Sequence, residues 1–138
     1  RKYHHLARLL VVEDEPLLAF DTEHLLSEDG YTIVATVDRV ADALAVIEGG
    51  AAIDLVLADV NLADGNGTSV AIAARERGIP VVFITGSCPA DAETLAVGCL
   101  GKPYSQRTLL AAIGAVEAVL SGTTPRRIPD GFRLFVSA

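Results

Sequence analysis

Ile53-Asp54-Leu55-Val56-Leu57-Ala58-Asp59 carries four apolar residues in a row straight into a carboxylate. A short apolar run without alternation suits a strand covered on both faces, as in a parallel sheet. In open parallel sheets, ligands bind beyond the carboxyl ends of the strands. Asp59 falls at that end. The residues after it, Val60 to Gly67, are rich in Gly, Asn and Asp and read as a loop. Asp59 is therefore expected at a rim where chemistry can occur. The plainer alternative is a helix cap or a solvated loop acid, and the rest of the chain decides between them.

Working outward, the same pattern recurs. Leu9-Leu10-Val11-Val12 is a first buried strand, ending in Glu13, Asp14 and Glu15. Pro16 suits the first turn of a helix that runs through Glu28 to a stop at Asp29-Gly30. Tyr31 to Val37 is a second strand. Val40, Ala43, Leu44 and Ile47 form one face of a second helix, closed by Gly49-Gly50. After the opening stretch comes a short helix over Ser69 to Arg77. Pro80 to Ile84 is a fourth strand, followed by Thr85-Gly86-Ser87. Asp91 to Leu95 holds at most a turn or two of helix. A short fifth strand spans Val97 to Leu100 and ends in Gly101-Lys102-Pro103-Tyr104. Leu109, Leu110, Ile113, Val116, Glu117 and Leu120 define a final helix. Five β–α alternations predict a doubly wound, five-stranded parallel sheet with helices on both faces and a fourth helix short or absent. Thr123 to Ala138 is left over as an extension or linker. Its Phe132 to Val136 run is a possible strand, able to add to a sheet edge or a partner.

Composition narrows the classes. The chain has 138 residues, 51% of them hydrophobic and 21% charged, which suits one folded domain with a single core. No apolar run approaches the ~20 residues of a membrane span, and no signal peptide is evident. A net charge of −7 argues against a broad basic surface for nucleic acid. Cys88 and Cys99 are too few for a disulfide framework and match no metal motif, so a reducing cytoplasm is the expected location. His4-His5 reads as a disordered arm rather than a metal site.

The candidate functional residues all fall at strand ends: Glu13 and Asp14 after the first, Asp59 after the third, Thr85 after the fourth, Lys102 after the fifth. In a doubly wound sheet these ends converge. Converging carboxylates repel, and no arginine stands near them in sequence to compensate. A magnesium ion would resolve this, since it takes a few carboxylates, a carbonyl and waters, with phosphate completing its shell. Lys102 is the only lysine after Lys2. A single ammonium at that rim suits a phosphoryl oxygen, and the Thr85 hydroxyl suits another.

This set, in this order, resembles the receiver domain of bacterial two-component response regulators over about Ala7 to Gly122. The resemblance implies a flavodoxin-like sheet of strand order 2-1-3-4-5. It implies that Glu13 and Asp14 bind magnesium with Asp59, and that Asn61 adds a backbone carbonyl. Asp59 would accept a phosphoryl group from a histidine kinase or histidine phosphotransfer protein. Thr85 would bind the phosphoryl group in the active state, and Lys102, before a Pro103 whose peptide is usually cis in the family, would stabilise it. The product would signal to a downstream protein partner, with no direct nucleic-acid or membrane contact. No second domain fits in the remaining residues, so no DNA-binding output is expected within them.

The chain departs from the family pattern in places. Leu62-Ala63 stands where Met-Pro is usual, Gly86 replaces the Ala after the threonine, and Cys99 occupies the position of the switch aromatic. Phe83-Ile84-Thr85-Gly86 and the Lys-Pro-aromatic ending resemble a subfamily with a Phe-x-Thr-Gly motif. Without the aromatic, the weakly patterned Gly86 to Glu93 segment becomes the expected reporter of phosphorylation. Two other classes compete. A haloacid-dehalogenase-type phosphatase also uses a nucleophilic Asp, but needs an acid two residues on, where this chain has Asn61. A pseudo-receiver binding partners without phosphate would not need the full acidic, Asp, Thr and Lys set.

Overall fold

The computed structural model describes residues 4–136. Its elements in order are β1 (Arg8–Val12), α1 (Pro16–Glu28), β2 (Thr32–Val37), α2 (Val40–Glu48), β3 (Leu55–Asp59), β4 (Asn61–Leu62), β5 (Gly65–Asn66), α3 (Gly67–Glu76), β6 (Val81–Thr85), α4 (Ala92–Leu95), β7 (Gly98–Gly101), α5 (Gln106–Leu120) and β8 (Phe132–Leu134). The main sheet has the order β2-β1-β3-β6-β7-β8. The first five strands are parallel, in the expected 2-1-3-4-5 arrangement, and β8 pairs antiparallel with β7. The short fourth helix is present, as a single turn of four residues. The loop after Asp59 holds a further small feature, the β4–β5 hairpin.

The apolar runs are continuous because both sheet faces are covered. Leu10, Val12, Val56, Ala58, Val81 and Phe83 point into one core with Ala43 and Ile47 of α2 and Val70, Ala71 and Ala74 of α3. Their immediate neighbours Leu9, Val11, Leu55, Leu57, Val82 and Ile84 point into a second core with Leu26 of α1 and Leu109, Ile113 and Val116 of α5. A period of two in the strand then leaves no polar positions to alternate with. Among the described residues, the only polar strand residues buried with them, Asp59 and Thr85, are the last residues of β3 and β6.

The tail returns to the sheet. Residues 123–131 pass over the surface, and Phe132 lies buried in the second core. A side chain at Gly98 would meet the Phe132 ring at 2.6 Å, so glycine makes room for it. The possible strand read in the tail is thus an edge strand on β7.

His4 is not a disordered arm. Its ring stacks on Tyr31 with centroids 3.7 Å apart. Its Nδ1 lies 3.0 Å from Glu117 Oε1 and its Nε2 2.7 Å from the Asp29 carbonyl oxygen. The reason is the buried Glu117 carboxylate, which needs donors, and the N-terminal segment supplies them.

Candidate functional site

Four of the five parallel strand ends bring the candidate residues to one rim. Glu13 directly follows β1, and its backbone N–H donates to the Val37 carbonyl at the end of β2. Its carboxylate is buried and accepts from the Glu15 backbone N–H at 3.1 Å. Glu15 precedes Pro16, the first residue of α1, so the acidic turn is held between strand and helix. Asp59 closes β3 at 3% exposure. Thr85 closes β6, and its carbonyl accepts the Lys102 backbone N–H at 2.8 Å. Lys102 follows β7 directly, and its peptide to Pro103 is cis.

The side chains converge. Glu13, Asp14, Glu15 and Asp59 each offer a carboxylate oxygen, all within 4.8 Å of one another. Lys102 Nζ reaches three of them: Glu15 Oε2 at 2.8 Å, Asp59 Oδ1 at 2.9 Å and Glu13 Oε1 at 3.2 Å. The contact to Asp59 is an ion pair. Among the described residues, no donor besides the Lys102 ammonium reaches either carboxylate oxygen of Asp59. Burial, helped by Glu13 and opposed by Lys102, pushes the Asp59 carboxyl up to about 8. For Lys102, burial works to lower the ammonium, but contacts with Glu15, Asp59 and Glu13 outweigh it and hold its pKa above the usual value. One ammonium thus faces four carboxylates, and an acidic excess remains. Hard oxygen donors in excess of local positive charge, with buried oxygens left without donors, fit a hard divalent cation such as magnesium.

Beside this cluster lies a pocket of about 290 Å³, lined by Asp14, Glu15, Asp59, Asn61, Thr85 and Lys102 among others. A larger groove of about 470 Å³ opens at the other end of the strands. Its charged lining residues are Asp54 and Arg75, set among mostly apolar ones. It has no comparable convergence of ionisable groups. All the site residues expected from the sequence therefore meet at one rim. Asn61 sits on β4, in register with Asn66 across the hairpin. The Thr85 hydroxyl is engaged within its own loop, donating to the Ser87 carbonyl at 3.1 Å and accepting from the Ser87 N–H at 3.2 Å.

Four contributors escape a sequence reading. Glu15 belongs to the cluster, although only its place in an acidic run hinted at it. Gly67 lies so close to β3 that an added Cβ would sit 1.9 Å from the Asp59 carbonyl oxygen. Its N–H donates to the Val60 carbonyl at 2.6 Å. Asp64 accepts from the Val40 and Ala41 N–H groups, capping α2 from the loop after Asp59. These contacts hold that carboxyl below the usual range. Finally, the two cysteines, from which no disulfide framework is expected, are joined to each other with Cα atoms 6.4 Å apart. Their proximity arises from β6–β7 pairing and cannot be read from an 11-residue spacing.

The comparisons with known proteins agree with this architecture. The family model for the response regulator receiver domain matches residues 9–114. This chain belongs to that family. It is 36% identical over 120 residues to the sensory transduction protein RegX3 of Mycobacterium bovis, covering 80% of this chain and 51% of that protein. The receiver spans about half the length, or less, of the curated relatives it matches. A response regulator receiver protein from Sinorhizobium medicae superposes with a TM-score of 0.71 at 29% identity, covering 81% of this chain and 94% of that one. A CheY-like receiver from Methanospirillum hungatei gives 0.73 at 27% identity, covering 80% and 93%. The chain is thus a receiver domain of two-component systems, a signalling domain with the CheY-like, flavodoxin-type fold. Among the described residues, no helix is long and apolar enough to cross a membrane.

Proposed function

We propose that Asp59 is the phosphoacceptor of this receiver, charged by a histidine kinase or a histidine phosphotransfer protein in the cytoplasm. The observation that carries this reading is the state of its carboxylate: buried among three other acids, with the Lys102 ammonium at 2.9 Å and, among the described residues, no further donor on either oxygen. A structural aspartate at that burial would be satisfied. An oxygen of Asp59 attacks the phosphorus as the donor's P–N bond breaks, giving an acyl phosphate. Lys102 pairs with a phosphoryl oxygen, and the Thr85 hydroxyl turns from Ser87 to donate to another. Little covalent assistance is needed, because positioning and charge stabilisation dominate phosphoryl transfer.

Glu13, Asp14 and Asp59, with the Asn61 backbone carbonyl, would hold magnesium, and Glu15 stands beside them. When bound, magnesium neutralises the charge that gathers between carboxylate and phosphoryl oxygens. Residues 7–122 carry the signalling residues, and residues 123–138 are an extension whose Phe132–Leu134 strand docks on the edge of the same sheet. The unit promotes its own phosphorylation and dephosphorylation rather than turnover of an external ester, and it reports to a protein partner rather than to nucleic acid.

Incubation with acetyl phosphate and magnesium tests the reading. The wild type is expected to gain one base-labile phosphate, and Asp59→Asn none. Labelling of the variant at the wild-type level would overturn the assignment.

A further inference from the structure

Two strands carry the groups proposed to grip the phosphoryl oxygens, and a disulfide joins them. Thr85 ends β6, and Cys88 lies three residues further along the same loop. Cys99 sits in β7, in register with Phe83 and three residues before Lys102. Cys99 is buried at 1% exposure, whereas Cys88 is half-buried near the surface. Between Thr85 and Ala92 there is no helix or strand. Among the described residues, the loop's hydrogen bonds are the Thr85–Ser87 pair, the Ala92 N–H to the Pro89 carbonyl, and at its far end the Thr94 N–H and hydroxyl to the Asp91 carbonyl. A segment this poor in hydrogen bonds opens readily unless something else restrains it. The restraint here is the bond from Cys88 to Cys99, anchored in the first core.

We propose that Cys88–Cys99 is a thiol–disulfide exchange site, reduced by a dithiol, that sets whether the Thr85 loop is free to rearrange. In a reducing compartment a protein disulfide is a transient, redox-responsive bond rather than a permanent staple. The geometry assigns the order of events. A reductant thiolate attacks Cys88 Sγ, the sulfur nearer solvent, and forms a mixed disulfide. The Cys88–Cys99 bond breaks, and its electron pair leaves on Cys99 Sγ, which takes a proton. The second thiolate of the reductant attacks its own sulfur in the mixed disulfide and releases Cys88, which is protonated in turn. Two electrons and two protons pass from the dithiol to the cysteines, and the reductant leaves as its own disulfide.

The consequence for signalling rests on the reading of Thr85 and Asp59 given above. While the bond is intact, Cys88 holds Ser87 beside Thr85, and the Thr85 hydroxyl stays occupied by the Ser87 carbonyl. Reduction releases Ser87 from β7, so that Thr85 can turn toward Asp59. Cys99 stands at the residue three before the lysine. There the pair couples β7 to the loop by a covalent bond that can be made and broken.

The test compares the full chain in oxidised form and after treatment with dithiothreitol. Alkylation is expected to find no free thiol in the first and two in the second. Backbone amides of residues 86–91 are expected to exchange about tenfold faster once reduced, as in Cys88→Ser without reductant. Labelling by acetyl phosphate is expected to be about fivefold faster in the reduced protein and in Cys88→Ser than in the oxidised protein. Cys99→Ala guards against a folding defect peculiar to one variant and is expected to match Cys88→Ser. Two free thiols persisting after treatment with oxidised glutathione would overturn the proposal, as would equal amide exchange in the two forms. Failure of the Asp59 reading would appear separately, as labelling of Asp59→Asn with the redox dependence of amide exchange intact.

Discussion

Asp59 and Glu117 are both buried carboxylates, at 3% and 9% exposure, and they sit at opposite ends of the sheet. Asp59 ends β3. Glu117 meets Leu6, ahead of β1, and Tyr31, ahead of β2. Glu117 is saturated with partners. Tyr31 Oη donates to its Oε1 at 2.5 Å, where His4 Nδ1 also approaches at 3.0 Å, and the His5 and Leu6 N–H groups donate to its Oε2 at 2.8 and 3.4 Å. Asp59 has the Lys102 ammonium 2.9 Å away, three other acids within reach and, among the described residues, no further donor. Similar burial with opposite satisfaction separates a carboxylate that holds the fold together from the one proposed to accept the phosphoryl group. Desolvation without donors costs stability, and proteins keep such a residue only where function requires it.

With Lys102 as the side-chain partner of Asp59, its backbone does much to place it. Gly67, the first residue of α3, lies against the Asp59 carbonyl with no space for a methyl group. Gly67→Ala is therefore expected to show the largest effect, a loss of about 3 kcal/mol from forced separation of α3 and β3. Urea unfolding reads the stability. Acetyl phosphate labelling of the folded fraction should slow as well, because the displaced atom belongs to the proposed phosphoacceptor. Wild-type stability in this variant would mean that α3 shifts freely and does not set the site.

Glu117→Gln comes next. The amide keeps the shape but turns an NH₂ group toward donors on one side. Hydrogen bonds to a charged acceptor are worth about 1.5–3 kcal/mol each when lost, and a loss of about 2 kcal/mol is expected after partial rearrangement. Labelling per folded molecule should not change. A labelling defect without loss of stability would reverse the roles assigned to the two carboxylates.

Asp59→Asn should move stability the other way. In chelator, replacing a buried carboxyl whose ionisation the fold opposes by a neutral amide is expected to raise stability by about 1 kcal/mol. Added magnesium should then narrow the gap, since it stabilises the form that binds it. A destabilised Asp59→Asn protein would show that Asp59 supports the fold as Glu117 does.

The two regions also differ in how far they could be read from sequence. The rim was legible because parallel strands are buried on both faces, so each reads as an apolar run and its end is marked by the first polar residue. Asp59, Thr85 and Lys102 stand out for that reason. The other end was not legible. Glu117 lies on a helix face at a spacing that suits the core, and its partner His4 is 113 residues away. Nothing local marks that contact, and two adjacent histidines near a terminus resemble an arm. The same holds for Phe132, whose apolar run follows two prolines and finds its place only because Gly98 leaves room. The disulfide, the Gly67 approach and the Asp64 cap share this character. Each depends on segments brought together by the sheet order, not on any period in the chain.

The last and smallest expectation uses pH to probe the saturated end alone. Burial first, then the hydrogen bond and charge of Glu117, raise the Tyr31 phenol above its usual value of 10.0. The neutral phenol is therefore favoured by folding. Its contribution is fully present below pH ~10, where the phenol is neutral in both folded and unfolded chains. Above that, the unfolded chain loses the proton while the folded chain keeps it, so stability falls as pH rises. Chemical denaturation across pH 9 to 11 should show this decline in the wild type. In Tyr31→Phe the baseline stability is lower, because Glu117 loses a donor, but the part of the slope due to this phenol disappears. Other tyrosines contribute to both proteins equally, and the difference between the two curves isolates Tyr31. Glu117→Gln should flatten the same difference by removing the charge that opposes phenolate formation. Parallel curves for wild type and Tyr31→Phe would mean that the phenol ionises as readily folded as unfolded, and that the Glu117 cluster is looser than its short hydrogen bond indicates.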